Sequence, residues 1–260
     1  MKTLLALSLL LLTSSALAAV VGKDVSYQAG DTTMKGFLAF DDAVKGKRAG
    51  VLVVPEWWGV NDYARKRAGM LANAGYVALV VDMYGNGQVA DNPKDAGALA
   101  GNINKNPPLA LSRFQAAEKF LDSQPNVRKG EIAALGYCFG GGVVLNMARA
   151  GLPLKSVVSY HGVLATDVAV KPGDIKAKLR IFHGEADPLV PPAQVEAFKT
   201  EMDNAKADYM FVAYPGVKHT FTNREADSYA AQFNLPLKYD NAADTDSWTR
   251  TLEFLKATLH

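Results

Sequence analysis

Six short runs of consecutive apolar, largely β-branched residues punctuate the chain: VLVVPE after Gly50, VALVVDMY after Tyr76, IAALGY after Glu131, SVVSYHG after Lys155, LRIFHG after Lys178 and YMFVAYPG after Asp208. Continuous rather than alternating, they have the character of strands covered on both faces. Between them the apolar positions recur at helical spacing. Val60, Ala64, Ala68 and Leu71 share one face, as do Phe114, Ala117 and Leu121, then Val195, Phe198 and Met202, and finally Trp248, Leu252, Leu255 and Leu259. Strand then helix, repeated, predicts an α/β domain with a mostly parallel sheet and helices on both faces. Upstream, Val25 to Gln28 and Thr33 to Phe40 flank Ala29-Gly30-Asp31 and predict an antiparallel hairpin opening the sheet. Tyr84 to Pro108 breaks the pattern: rich in Gly, Asn and Asp, it reads as an irregular loop with at most one short helix, equally a cover for a site or a plain surface insertion.

The first eighteen residues stand apart. Lys2, the apolar run from Leu4 to Leu12 and the small residues around Ala16-Leu17-Ala18 have the three parts of a secretory signal, and the run is too short to span a bilayer. The competing reading is a buried N-terminal strand. With cleavage after Ala18, residues 19–260 form a single domain expected in the periplasm or secreted, as a monomer with no membrane association.

Composition changes the picture little, except at one residue. The 260 residues are 49% hydrophobic and 21% charged, the balance of a chain that can bury a large core. A formal charge of +2 offers no field that would select nucleic acid, so a small molecule is the expected partner. One cysteine, Cys138, excludes an intramolecular disulfide and a thiolate metal cluster, and in an exported chain an unpaired thiol is either an inert buried residue or a reactive one.

Its setting favours the second. Gly136-Tyr137-Cys138-Phe139-Gly140-Gly141 lies directly between an apolar strand and a helical run. A nucleophile on such a tight turn is held out over the sheet with a helix N-terminus beneath it, whose N–H groups and dipole favour a thiolate and then an oxyanion. The chain order nucleophile, acid, histidine is completed by Asp187 in HGEADPLVP and His219 in PGVKHTF, each just after a strand. Glu185 rivals Asp187 for the acid, although Pro188 restricts Asp187 to an extended backbone. His161 and His183 have a structural reading near strand ends, and with His219 they show no metal-ligand spacing, so neither metal nor cofactor is expected.

PEWWGVN, DMYG, GYCFGG, HGEADPLVP and VKHTF, in that order over most of the chain, resemble the dienelactone hydrolase family of the α/β-hydrolase fold. The resemblance implies an ester, lactone or thioester hydrolase working through an acyl-enzyme, with Cys138 as nucleophile, Asp187 and His219 as its partners, and Glu56 as a carboxylate that helps activate the thiol when substrate binds. It implies an oxyanion hole from the amides of Phe139 and Trp57. Glu56 also has a plainer reading, a charge at a strand exit. The best-known members hold a substrate carboxylate with basic side chains. Here Asn86 follows DMYG, and Asn223 stands where the second base would, with Arg224 one residue later and Thr220 beside His219. Trp57, Trp58, Tyr84 and Phe139 therefore suggest a more apolar or aromatic pocket. The alternatives are a non-catalytic small-ligand binder on the same fold and a thiol-exchange protein, which would need a second cysteine.

Overall fold

The computed structural model describes residues 20–260; the proposed signal segment lies outside them. Among these residues eight strands form one sheet in the order β1-β2-β4-β3-β5-β6-β7-β8. The opening hairpin, β1 (Val20–Ala29) and β2 (Thr32–Asp41), is longer than its apolar pattern suggested. Ala29 pairs with Thr32 across a turn in which Gly30 takes φ 58°. β2 joins β4 (Val77–Val80) antiparallel. All other pairings, through β3 (Arg48–Val54), β5 (Val127–Tyr137), β6 (Ser156–Tyr160), β7 (Lys178–Gly184) and β8 (Tyr209–Tyr214), are parallel.

Among the described residues seven helices accompany the sheet: α1 (Asp62–Asn73), α2 (Pro93–Asn104), α3 (Pro107–Asp122), α4 (Phe139–Arg149), α5 (Pro192–Ala205), α6 (Ala226–Phe233) and α7 (Asn241–Thr258). Alternate strand residues feed two cores. Leu52 and Val54 join Phe114 of α3, Val143 and Val144 of α4 and Phe198 of α5. Val51 and Val53 join Ala64, Ala68 and Leu71 of α1 and Phe254 and Leu255 of α7. Both faces of the sheet are thus dry, which is why its central strands lack polar alternation.

Two local readings need correction. The segment from Tyr84 to Pro108 is not mainly irregular. It contains the twelve-residue α2, with Pro93 in its first turn and the Asn92 side chain accepting from the Asp95 N–H, and α3 starts within it behind an Asn106 cap. At α7 Leu255 and Leu259 are buried and Trp248 packs half-buried against the core as expected, but Leu252 is only half-buried and the inward stripe also takes in Ala243, Ser247, Thr251 and Phe254. Two hydroxyl residues face inward because each finds a partner. The Thr251 hydroxyl donates to the Ser247 carbonyl and pairs with the Tyr160 hydroxyl, and the Ser247 hydroxyl donates to the Asp244 carbonyl.

Candidate active site

The chain leaves β3 for α1 on one face and returns through α2 and α3 on the other, so β3 and β5 flank the point where strand order reverses. Crevices of open parallel sheets lie there, beyond the carboxyl ends of the strands. Glu56 follows β3, Cys138 follows β5, Asp187 follows β7 and His219 follows β8. The fold gathers the four at one sheet edge.

The Cys138 turn is as tight as its glycines suggest. A Cβ on Gly136 would lie 2.0 Å from the Gly140 carbonyl oxygen, and one on Gly140 would lie 2.2 Å from that of Val54. Cys138 itself adopts φ 53°, a region costly for any residue with a side chain. Asn86, His161 and Thr220, all in loops at this end of the sheet, also have positive φ. Strained backbone held by its surroundings is common at functional sites.

His219 is buried, and its Nδ1 lies 2.6 Å from Asp187 Oδ2. Asp187 is buried too, and its other oxygen accepts the Leu189 N–H at 2.8 Å, whereas Glu185 is exposed. Burial disfavours charge on His219, but its interactions with Cys138 and with the Asp187 carboxylate outweigh it and raise its pKa from 6.5 to about 10. Its Nε2 is buried with no hydrogen-bond partner among the described residues, and the half-buried Cys138 is the charge that acts on it most.

Glu56 is 2% exposed. Its Oε2 accepts from Asn223 Nδ2 at 2.9 Å and its Oε1 has no partner among the described residues, so the carboxyl rests against Asn223 rather than on the thiol. Burial raises its pKa from 4.5 to about 7, against the lowering effects of the Asn223 hydrogen bond and the positive charges of His219 and Arg67.

The amide of Phe139 opens α4, where the first N–H groups of a helix have no internal acceptor, and neither it nor the Trp57 amide has a backbone partner among the described residues. Tyr84 lies beside the thiol: its hydroxyl donates to the Trp57 carbonyl at 2.9 Å and its ring packs 5.7 Å from Phe139. Burial, then the charge of Cys138, pushes the Tyr84 phenol upward. Trp58 is buried under Tyr229 and Phe233 of α6, a helix the sequence pattern did not reveal. Thr220 is buried next to His219. Asn86 is exposed, its N–H donating to the Thr33 carbonyl, and Arg224 is exposed with its guanidinium over the Tyr239 ring.

Two contributors, Asp82 and Arg67, were not singled out in the sequence, and a third, His161, was read there as structural near a strand end. Asp82 accepts four backbone N–H groups, from Tyr84, Gly85, Gly87 and Lys35, and shapes the loop that holds Tyr84. Arg67 on α1 reaches Asp244 and the Thr222 carbonyl from below. His161 Nδ1 accepts the Cys138 N–H. His183, in contrast, packs on Phe211.

The model of the dienelactone hydrolase family matches residues 34–259. The chain belongs to the dienelactone hydrolase family. It is 32% identical to a structurally determined family-like protein described as a promiscuous phosphotriesterase from metagenomic libraries, covering 93% of this chain and 100% of that one with a TM-score of 0.84. A Bradyrhizobium protein named a probable 2-oxo-3-(5-oxofuran-2-ylidene)propanoate lactonase is 27% identical over 82% of this chain and 85% of its own. The fold alone is shared with the dienelactone hydrolase from Anabaena variabilis, at 18% identity, 93% and 99% coverage and a TM-score of 0.63. Family membership accounts for the single domain and the mixed sheet with its antiparallel edge. No helix among the described residues is long and apolar enough to cross a membrane.

Proposed function

We propose that this family member is an exported hydrolase of esters, lactones or thioesters that works through an acyl-enzyme on Cys138. The observation that carries this is the junction of a strained cysteine turn with a buried histidine whose Nδ1 is taken by Asp187 and whose Nε2 is left unpaired. Cys138 Sγ attacks the carbonyl carbon. The oxyanion that forms is met by the Phe139 and Trp57 amides, and the C–O or C–S bond breaks as His219 Nε2 gives its proton to the leaving group. Water then attacks the thioester, His219 takes its proton, and the acid and free thiolate are released. Glu56, hydrogen-bonded by Asn223 at rest, is the carboxylate that would help activate the thiol when substrate binds.

The surroundings favour a substrate without a carboxylate. Asn223, where the family's second base would stand, is an uncharged amide engaged by Glu56, and the exposed Arg224 guanidinium lies over the Tyr239 ring. Trp57 packs on Trp58 and Trp58 on Tyr229, and exposed Val89, Val163 and Leu189 stand in the loops leaving β4, β6 and β7. An uncharged acyl or aryl group suits such a rim. Export rests on the sequence of residues 1–18. The reading is tested with short-chain aryl esters: the parent turns them over and accumulates a thioester adduct on Cys138 visible by mass spectrometry, and Cys138→Ala does neither. Parental turnover in Cys138→Ala would sink it, and binding without turnover in the parent would favour a ligand-binding role.

A further inference from the structure

The Cys138 turn presents a problem that its glycines do not solve: what keeps a non-glycine residue at φ 53° while its side chain is presented for chemistry. The Cys138 N–H donates both to the Tyr160 carbonyl at 3.0 Å and to His161 Nδ1 at 3.1 Å. An imidazole nitrogen that accepts carries no proton, which places the His161 hydrogen on Nε2, 2.8 Å from Thr222 Oγ1. Thr222 Oγ1 also meets the Tyr63 hydroxyl at 2.6 Å, and Tyr63 accepts from Arg67 Nε. Arg67 in turn holds the Thr222 carbonyl and Asp244. The His161 ring packs edge-on to His219, centroids 5.1 Å apart, and to Phe221 at the same separation. One buried ring thus touches the nucleophile's backbone, the face of the histidine and the loop that carries both His219 and Asn223.

We infer that His161 is a positioning residue: as the neutral Nε2–H tautomer it fixes the Cys138 turn against the His219 loop and so sets the approach of Sγ and Nε2. Burial, followed by the nearby positive charges of His219 and Arg67, keeps it neutral. Protonation would put an N–H against the Cys138 N–H, so the accepting role and the neutral state require each other. This geometry also withdraws the Cys138 amide from the oxyanion, which leaves that task to the following residue.

The inference rests on Cys138 as nucleophile, and the test separates the two. His161→Phe keeps a ring in place without an acceptor, and His161→Asn returns an oxygen acceptor near the position of Nδ1. On p-nitrophenyl butyrate, His161→Phe is expected to lower kcat about tenfold, the worth of one hydrogen bond at the transition state, with KM little changed. Alkylation of Cys138 by iodoacetamide is expected to slow in parallel, and His161→Asn to recover most of both losses. Parental kcat and alkylation in His161→Phe, or an equal loss in His161→Asn, would overturn the inference. If His161→Phe fails to fold, Thr222→Val, which removes the Nε2–H acceptor and frees the tautomer, is expected to cost about threefold in kcat; unchanged rates there would overturn it as well. Full turnover in Cys138→Ala overthrows the nucleophile, and the inference with it. A dead Cys138→Ala beside neutral His161 variants defeats only the inference.

Discussion

Replacing Glu56 by glutamine removes one titrating group from the interior while keeping its shape. The carboxyl is 2% exposed with a single hydrogen bond, from Asn223, and burial raises its pKa from 4.5 to about 7. A group whose folded pKa lies above its unfolded value binds its proton more tightly in the native state. Its contribution to stability is therefore fully present below the unfolded pKa and is lost as pH rises through the folded one. The difference, 7 − 4.5, is two and a half pKa units, worth about 3 kcal/mol over the whole window, of which about 2 kcal/mol is lost between about pH 5.5 and pH 8.5. The amide of the Glu56→Gln variant has no such dependence. Its own offset, from re-pairing with Asn223, is the same at every pH. Urea unfolding of parent and Glu56→Gln should give free-energy profiles that diverge with pH, the variant gaining about 2 kcal/mol relative to the parent by about pH 8.5. Parallel profiles would refute the reasoning, because they would mean that Glu56 ionises in the native state as easily as in water.

The acid and the turn supply two more expectations. Asp187→Asn, which breaks the pairing with His219 Nδ1, should lower kcat between about a hundredfold and ten-thousandfold in steady-state assays, while Glu185→Ala should change it less than about twofold, since a solvated charge contributes little. Comparable losses in the two variants would show that the wrong carboxylate holds the histidine. Gly140→Ala places a methyl 2.2 Å from the Val54 carbonyl oxygen, where only backbone can yield, and should cost about 3 kcal/mol or more in thermal or urea unfolding; a melting temperature equal to the parent's would contradict the close approach.

The order of strands and helices was legible because it depends on local patterns, apolar runs and helical spacing, that a sheet covered on both faces requires. Cys138, Asp187 and His219 were legible for a related reason: parallel topology sends every strand's carboxyl end to the same edge, so residues just after strands meet whatever their separation in sequence. The signals for α2 were also present, in Asn92-Pro93 and Asn106-Pro107, but the run of Gly, Asn and Asp masked a buried face made mostly of alanine. The inward stripe of α7 was hidden differently. Ser247 and Thr251 look like surface residues until Tyr160 and the helix's own carbonyls satisfy them.

What local pattern could not separate is the carboxylates. Glu56, Asp82 and Asp187 each follow an apolar strand, and by composition alone they are interchangeable. Tertiary placement gives them three different environments. Asp82 receives four backbone N–H groups and acts as the anchor of a loop. Asp187 is divided between one amide and the Nδ1 of His219, so its charge is directed at an imidazolium. Glu56 is buried with one amide and, among the described residues, an orphan oxygen, and burial raises its pKa to about 7 against the lowering effect of that single hydrogen bond. A carboxyl with full hydrogen bonding holds a shape, whereas a buried one starved of partners keeps its proton to higher pH. The burial of each and the count of donors around it, set by residues as distant in sequence as Lys35 and Asn223, decide which of these it does, and for that reason these environments can be read only after the chain has folded.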